Sequence, residues 1–473
     1  MNRKPLLFIL LISFTCQSFS QAVNNFVGAW EGTLKAGVDL RIVFHVKDDG
    51  KGNLISTADS PDQSAFGFAC DSTTVTENEL TIVITTLKAI FKGKLLNDSL
   101  IEGTFTQGAE FPLALRKVDK PTERIRPQTP KAPFSYKSED VVYDIKDKSL
   151  QLGATLTIPE GKGPFPAALL ITGSGPQNRD EDILGHKPFA VIADYLTRQG
   201  FIVLRVDDRG IGKSTGDFGS ATSADFANDA SSSIDYLITR PEVNKKKIGL
   251  IGHSEGGMIA PMVALQRKDI DFIVLLAGPG VKIIELMTEQ NAAILRSANI
   301  SKEAIEAYLP LYKEWMFQIV RAPDTATAYK TADLLLQKWI TQTNEKLITE
   351  LGMNDRKAQH SMLSALSNQL STPWFKYFLA FDPQPYLQKL QCRVLAINGS
   401  KDIQVLASQN LPGIEASLKK SKSKIYEIKE LPGLNHLFQT CNKCTLQEYS
   451  ELEETFSPVA LQLVGDWMIK NVK

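Results

Sequence analysis

From Val23 to about Val118, apolar and polar residues alternate in short runs. "DLRIVFHV", "ELTIVITTL", "FKGKLLNDSLIEGTF" and "FPLALRKV" are separated by turn-rich stretches such as "KDDGKGN". A period of two predicts strands with one buried face, so this segment reads as a small antiparallel β-barrel or sandwich. Residues 119–138 are rich in Pro and charge and read as a linker.

After the linker, over residues 139–473, the period changes. Continuous apolar runs, "AALLIT" at Ala167, "FIVLRVD" at Phe201, "KIGLIGH" at Lys247 and "DFIVLLAG" at Asp271, alternate with helix-length amphipathic segments. That pattern predicts an α/β domain with a doubly wound, mostly parallel sheet covered on both faces. "CRVLAING", "SKIYEIKEL" and a final helix "SPVALQLVGDWMIK" complete it. Residues 283–386 interrupt the alternation and read as a helical cap insertion. They carry Trp315, Met316, Phe317, Trp339, Trp374, Phe375, Tyr377 and Phe378, a set that fits helix core and, in part, a substrate-facing surface.

Composition narrows the class. With 43% hydrophobic and 22% charged residues, the chain can bury a substantial core. Basic and acidic residues each number 53, so no charge excess points to nucleic acid or an anionic membrane. Residues 1–22 carry Arg3 and Lys4, then the apolar run Leu6 to Phe14, too short to span a bilayer, then small residues in "SFSQA". This is the layout of a signal peptide and predicts a secreted or periplasmic protein. Cys16 follows Ser13-Phe14-Thr15, a poor match to a lipidation site. No later stretch is apolar enough for a membrane span.

The chain has 5 Cys and 5 His. Cys441 and Cys444 are spaced for a local disulfide or two free thiols. A zinc site needs about four ligands, and no second C-x-x-C accompanies them. No metal or cofactor is expected.

The chemistry centres on "IGLIGHSEGGMIA", Ile248 to Ala260. A buried strand runs into Gly252-His253-Ser254-Glu255-Gly256 and then into a helix. A sharp strand-to-helix turn needs small residues two before and two after the serine, because larger side chains would meet neighbouring backbone. Ser254 is therefore the candidate nucleophile. It needs a base and an orienting acid, which in this architecture follow in the order acid, histidine on loops after later strands. His436 is the only histidine after the strand at Cys392, and Asp402 follows that strand in "NGSKD". Asp382 belongs to the insertion and Asp466 to the last helix. The oxyanion donors are read as the backbone N–H groups of Glu255 and of Ser174, in "GSGPQNRDE". The Glu255 carboxylate reads either as a binder for a substrate ammonium or as a first-turn helix charge. Arg209 reads as a loop brace paired with Asp207 or Asp208.

Taken in order, "TGSGPQNRDE", "VDDRGIGKS", "GHSEGG", "NGSKD" and "NHLF" resemble the α/β-hydrolase superfamily. The likeness is to bacterial secreted esterases related to serine aminopeptidases and dienelactone hydrolases, over about Val141 to Lys473. The resemblance implies a Ser254-Asp402-His436 triad, no cofactor and a small-molecule ester substrate. It departs in one place, where the common His-Gly of the oxyanion loop is Thr172-Gly173. A peptidase of the same fold is the alternative activity. A binding protein whose function lies in the β domain is the non-enzymatic one. In that domain "FVGAWEGTL" looks like the first strand of a lipocalin-like barrel.

Overall fold

The structure, a computed structural model, describes residues 25–36, 39–50, 52–63, 65–121 and 126–473. The segment read as a signal peptide, with Cys16, lies outside the described residues. The chain divides into two compact units, Met1–Ile125 with Ile183–Gly185, and Arg126–Asp182 with His186–Lys473.

The first unit contains β1 (Gly28–Lys35), β2 (Asp39–Asp48), β3 (Leu54–Ser60), β4 (Ala65–Ala69), β5 (Ser72–Thr76), β6 (Glu79–Ile84), β7 (Ala89–Asn97), β8 (Leu100–Gln107) and β9 (Ala109–Val118). They form an antiparallel sheet in the order β2-β1-β9-β8-β7-β6-β5-β3-β4, and β2 also pairs with β3. That extra pairing closes a ring, with β4 attached to β3, so the unit is barrel-like rather than a sandwich. Alternate residues point inward: Trp30, Phe44, Leu80, Ile82, Phe91 and Ile101 are all buried. Trp30 donates its indole N–H to the Phe26 carbonyl at 2.7 Å, which satisfies the one polar group its burial would strand.

The second unit holds β10 (Lys137–Asp144), β11 (Gln151–Ile158), β12 (Phe165–Ile171), β13 (Ile202–Val206), β14 (Val243–His253), β15 (Ile270–Leu276), β16 (Arg393–Gly399) and β17 (Tyr426–Leu431), in the order β10-β11-β13-β12-β14-β15-β16-β17. From β13 to β17 neighbouring strands are parallel, whereas β10 and β11 are antiparallel. These two strands were not named from sequence. A short turn joins them, so they lack the helix that makes the other strands visible as α/β repeats. The central strands are buried on both faces, which is why they read as unbroken apolar runs.

In chain order the helices are α1 (Pro188–Arg198), α2 (Ser223–Thr239), α3 (Glu255–Gln266), α4 (Ile283–Ser297), α5 (Lys302–Arg321), α6 (Thr325–Gln342), α7 (Glu345–Glu350), α8 (Arg356–Leu370), α9 (Pro373–Ala380), α10 (Gln384–Leu387), α11 (Ala407–Leu418), α12 (Glu448–Glu451) and α13 (Pro458–Asn471). Helices α1 and α13 pack on one face of the sheet, α2, α3 and α11 on the other. Helices α4 to α9 are the insertion, and its aromatic residues divide in role. Trp315 and Met316 are core, Phe317 is exposed beneath the Arg321 guanidinium, and Trp374 is half-buried.

The stretch read as a linker is in part built into this unit. Arg126 donates to the carbonyls of Ser450 and Leu452, and Gln128 bonds to the backbone of Thr455 and Phe456. β10 starts at Lys137, one residue before the expected end of the linker. Pro and charge exclude regular structure there, but they do not exclude long side chains that satisfy backbone groups elsewhere. No helix among the described residues is long and apolar enough to cross a membrane.

Candidate active site

Ser254 stands alone between the end of β14 and the start of α3, with φ 52° and ψ −114°. A non-glycine residue in the left-handed region is strained and persists only where its surroundings over-determine it. Here its N–H donates to the Leu276 carbonyl at 2.8 Å, and its own carbonyl accepts from Gly257 at 2.9 Å. The flanking glycines are steric requirements. A Cβ at Gly252 would stand 2.0 Å from the Gly256 carbonyl oxygen, and one at Gly256 would stand 2.1 Å from that of Ile171.

Asp402 and His436 meet directly. His436 Nδ1 lies 2.8 Å from Asp402 Oδ2, with both residues buried. The other Asp402 oxygen accepts the N–H groups of Gln404 at 2.8 Å and Val405 at 2.9 Å, so the carboxylate cannot swing away. This arrangement makes Nδ1 the protonated nitrogen of a neutral His436 and leaves Nε2 as a base. The His436 loop is held by Asn435, whose side-chain oxygen accepts from Leu437 and Gln439. Gly399 lets this loop lie against the end of β16, since a Cβ there would be 2.1 Å from the Leu434 carbonyl oxygen. Ser254 Oγ makes no hydrogen bond to His436 among the described residues. His253 links the two positions instead: its Nε2 lies 3.0 Å from the His436 carbonyl oxygen.

The loop after β12 approaches the serine. A Cβ at Gly173 would lie 3.3 Å from Ser254 Cβ. The Gly173 N–H is already committed to Glu181 Oε1 at 2.7 Å. The next N–H, that of Ser174, has no acceptor among the described residues, and that of Glu255 is the first of α3, where helices leave their N–H groups unpaired. Asp382 accepts a local turn bond from Gln384, and Asp466 is exposed on α13. Neither approaches His436 by hydrogen bond.

Two buried carboxyls flank this loop. Burial pushes the Glu255 carboxyl up to about 7, against the hydrogen bonds it accepts from Ser223 Oγ at 2.5 Å and Trp374 Nε1 at 2.9 Å. Glu255 thus does not project as a surface helix charge, one of the two roles read from sequence. Burial likewise pushes Asp208 up to about 8, with the charges of Glu255 and Glu181 adding to it. Asp208 accepts from Thr172 Oγ1 and the Gln177 N–H. A cavity of about 50 Å³ lies between Thr172, Gly173, Asp208, Arg209 and Glu255, with room for roughly one or two waters. Arg209 is a loop brace, but its partner is Asp229 on α2, at 2.7 and 2.8 Å. Asp207 is instead taken by Arg179 at 2.6 and 3.0 Å. Neighbours in sequence on an extended loop diverge in direction, so proximity along the chain misassigned the pair.

Cys441 and Cys444 form a disulfide. Glu448 lies near both sulfurs, but its carboxylate accepts the N–H groups of Asn442, Lys443 and Cys444. Glu181, His253 and Asn435 were not singled out as site residues from sequence. For the first two the available cue was charge inside the motifs themselves, in "NRDED" and "GHSEGG".

A strand-turn-helix serine, an aspartate after a later strand and a histidine after the last, on this sheet order, resemble the arrangement of the α/β-hydrolases. Residues 187–362 match the family model described as serine aminopeptidase, S33. The chain is 33% identical over 158 residues to esterase EstD of Thermotoga maritima, covering 33% of this chain and 36% of that protein. It is 24% identical over 198 residues to a probable serine hydrolase of Drosophila melanogaster, covering 41% of this chain and 56% of that one. The alignments therefore span about a third to a half of these relatives' lengths. Among solved structures, the Pyrococcus furiosus esterase Pf2001 aligns with a TM-score of 0.43 at 15% identity, covering 72% of this chain and 93% of that chain.

Proposed function

We propose that the protein hydrolyses carboxylic esters of small molecules through an acyl-enzyme formed on Ser254. His436 Nε2 takes the Ser254 proton as Oγ attacks the ester carbonyl, and Asp402 holds the imidazole in the required tautomer. The Ser174 and Glu255 N–H groups receive the oxyanion. His436 then protonates the leaving alcohol and activates water to release the acid. The observation that carries this reading is the Asp402–His436 hydrogen bond, made by a carboxylate whose second oxygen is pinned by two backbone N–H groups.

A fluorophosphonate label and a panel of p-nitrophenyl esters, applied to wild type and Ser254→Ala, test it. Labelling should vanish in the variant and kcat should fall by about 10⁴-fold or more. Near-normal turnover in Ser254→Ala would exclude the site. The serine-aminopeptidase family match favours a second reading, a peptidase of the same fold. Cleavage of aminoacyl-naphthylamides in preference to esters would establish it. We also propose export to the periplasm or beyond, on the character of residues 1–22. The N-terminal sequence of the mature protein checks this.

A further inference from the structure

Glu181 and His253 connect three parts of the site. Glu181 Oε1 accepts from Gly173 N–H at 2.7 Å and lies 2.9 Å from His253 Nδ1, while His253 Nε2 lies 3.0 Å from the carbonyl oxygen of His436. The oxyanion loop, the residue before the nucleophile and the backbone of the base are thus joined through one carboxylate and one imidazole. Both are buried, Glu181 at 1% exposure and His253 at 5%.

The protonation state follows from the partners. A carbonyl oxygen can only accept, so His253 Nε2 must carry a proton. A carboxylate can only accept, so Nδ1 must carry one too. Glu181 Oε2 is buried with no hydrogen-bond partner, so the donors this side chain meets, Gly173 N–H and His253, both stand on its Oε1 side. Burial disfavours a charged imidazole, yet the charge of Glu181 and the two hydrogen bonds hold His253 above its ordinary value. Glu181 itself sits at φ 51°, in a turn tied by its N–H to the Asn178 carbonyl, a conformation imposed on it by its place in the loop.

We propose that Glu181 and an imidazolium His253 form a positioning pair that fixes the oxyanion donor Ser174 and the base His436 in register with Ser254. The pair touches no reacting atom and acts through its neighbours. The proposal rests on the ester-hydrolase reading for its kinetic consequence. Its structural content, two protons on His253, can be tested without that reading.

Glu181→Gln keeps an oxygen for Gly173 N–H and removes the charge. A neutral His253 then has one proton for two acceptors, the introduced amide oxygen and the His436 carbonyl, and must release one of them. The expected result is a fall in kcat of about 10- to 100-fold, with KM changed less than about 3-fold and fluorophosphonate labelling slowed in parallel. In wild type, ¹⁵N-resolved NMR of the histidines should show both His253 nitrogens protonated at pH 7. Glu181 and Asp402 bear on this ring by charge, and His436 bears on it through its backbone carbonyl, with its own ring 4.9 Å away. Unchanged kcat and labelling in Glu181→Gln, or a singly protonated His253 in wild type, would overturn the proposal. If wild type neither labels nor turns over, the ester-hydrolase reading falls and the NMR alone decides the pair. The same spectrum decides it if Glu181→Gln does not fold.

Discussion

Trp374 Nε1 donates a hydrogen bond to Glu255 Oε1 at 2.9 Å, tying helix α9 to the residue after Ser254. The acceptor is a buried carboxyl raised from 4.5 to about 7. Between those values the folded state holds a proton that the unfolded chain has released, so stability falls as pH rises through this window. Glu255→Gln keeps the oxygen acceptor for Trp374 and Ser223 without the ionisation. The variant should match wild type near pH 4.5 and exceed it by on the order of 3 kcal/mol at pH 8. Denaturant titrations at several pH values check this, and parallel curves for the two proteins would contradict it. Asp208, raised for the same reason, keeps a residual decline in both.

Asp402→Asn tests the tautomer argument. The Oδ1 position accepts two backbone N–H groups, so the oxygen of the introduced amide is drawn there and its NH2 turns toward His436 Nδ1. Nδ1 must then accept and Nε2 must carry the proton, which leaves no base for Ser254. A loss of about 10³- to 10⁴-fold in kcat with little change in KM is expected, measured by steady-state ester hydrolysis. A loss below tenfold would mean that another carboxylate orients the imidazole.

The flanking glycines give a steric contrast. A Cβ at Gly256 meets the carbonyls of Ile171 at 2.1 Å and Thr172 at 2.7 Å, and neither can move without displacing β12. Gly433, at φ 77°, has nothing within 4 Å of its added Cβ. Gly256→Ala should therefore destabilise by about 3 kcal/mol or more and abolish activity. Gly433→Ala should cost about 1 kcal/mol, the conformational penalty alone. Thermal unfolding and ester turnover of both variants decide it.

These contrasts mark how far the sequence could be read. Strand β14, its turn and α3 were legible because the apolar run, the glycine spacing and the helix pattern are all local. The meeting of Asp402 with His436 was legible because Asp402 directly follows an apolar strand and few histidines compete with His436. Strands β10 and β11 were missed for want of a helix between them. The Arg209–Asp229 pair, the Trp374–Glu255 bond and the Glu181–His253 bridge join residues 20, 119 and 72 positions apart, and no local pattern encodes such contacts. Buried charge inside a motif was visible, but which charge it would meet depends on how loops from different strand ends converge.

The loop after His436 offers the last test. The Cys441–Cys444 disulfide spans a sequence separation of only 3, so the entropy it removes from the unfolded chain is small, about 2 kcal/mol at most. Glu448 holds the same loop from the other side. Burial would raise its carboxyl, but the N–H groups of Lys443, Cys444 and Asn442 bring it below its usual value. Each constraint can hold the loop without the other, so the Cys441→Ser/Cys444→Ser double variant should keep kcat within about 3-fold, as should Glu448→Ala. Combining them frees three N–H groups and the chain at once, five residues beyond His436. The combined variant should lose more stability than the sum of the two changes and show a fall in kcat that neither shows alone. A double-mutant cycle on unfolding free energy and kcat measures this coupling. Strict additivity in both quantities would mean that the loop does not position His436.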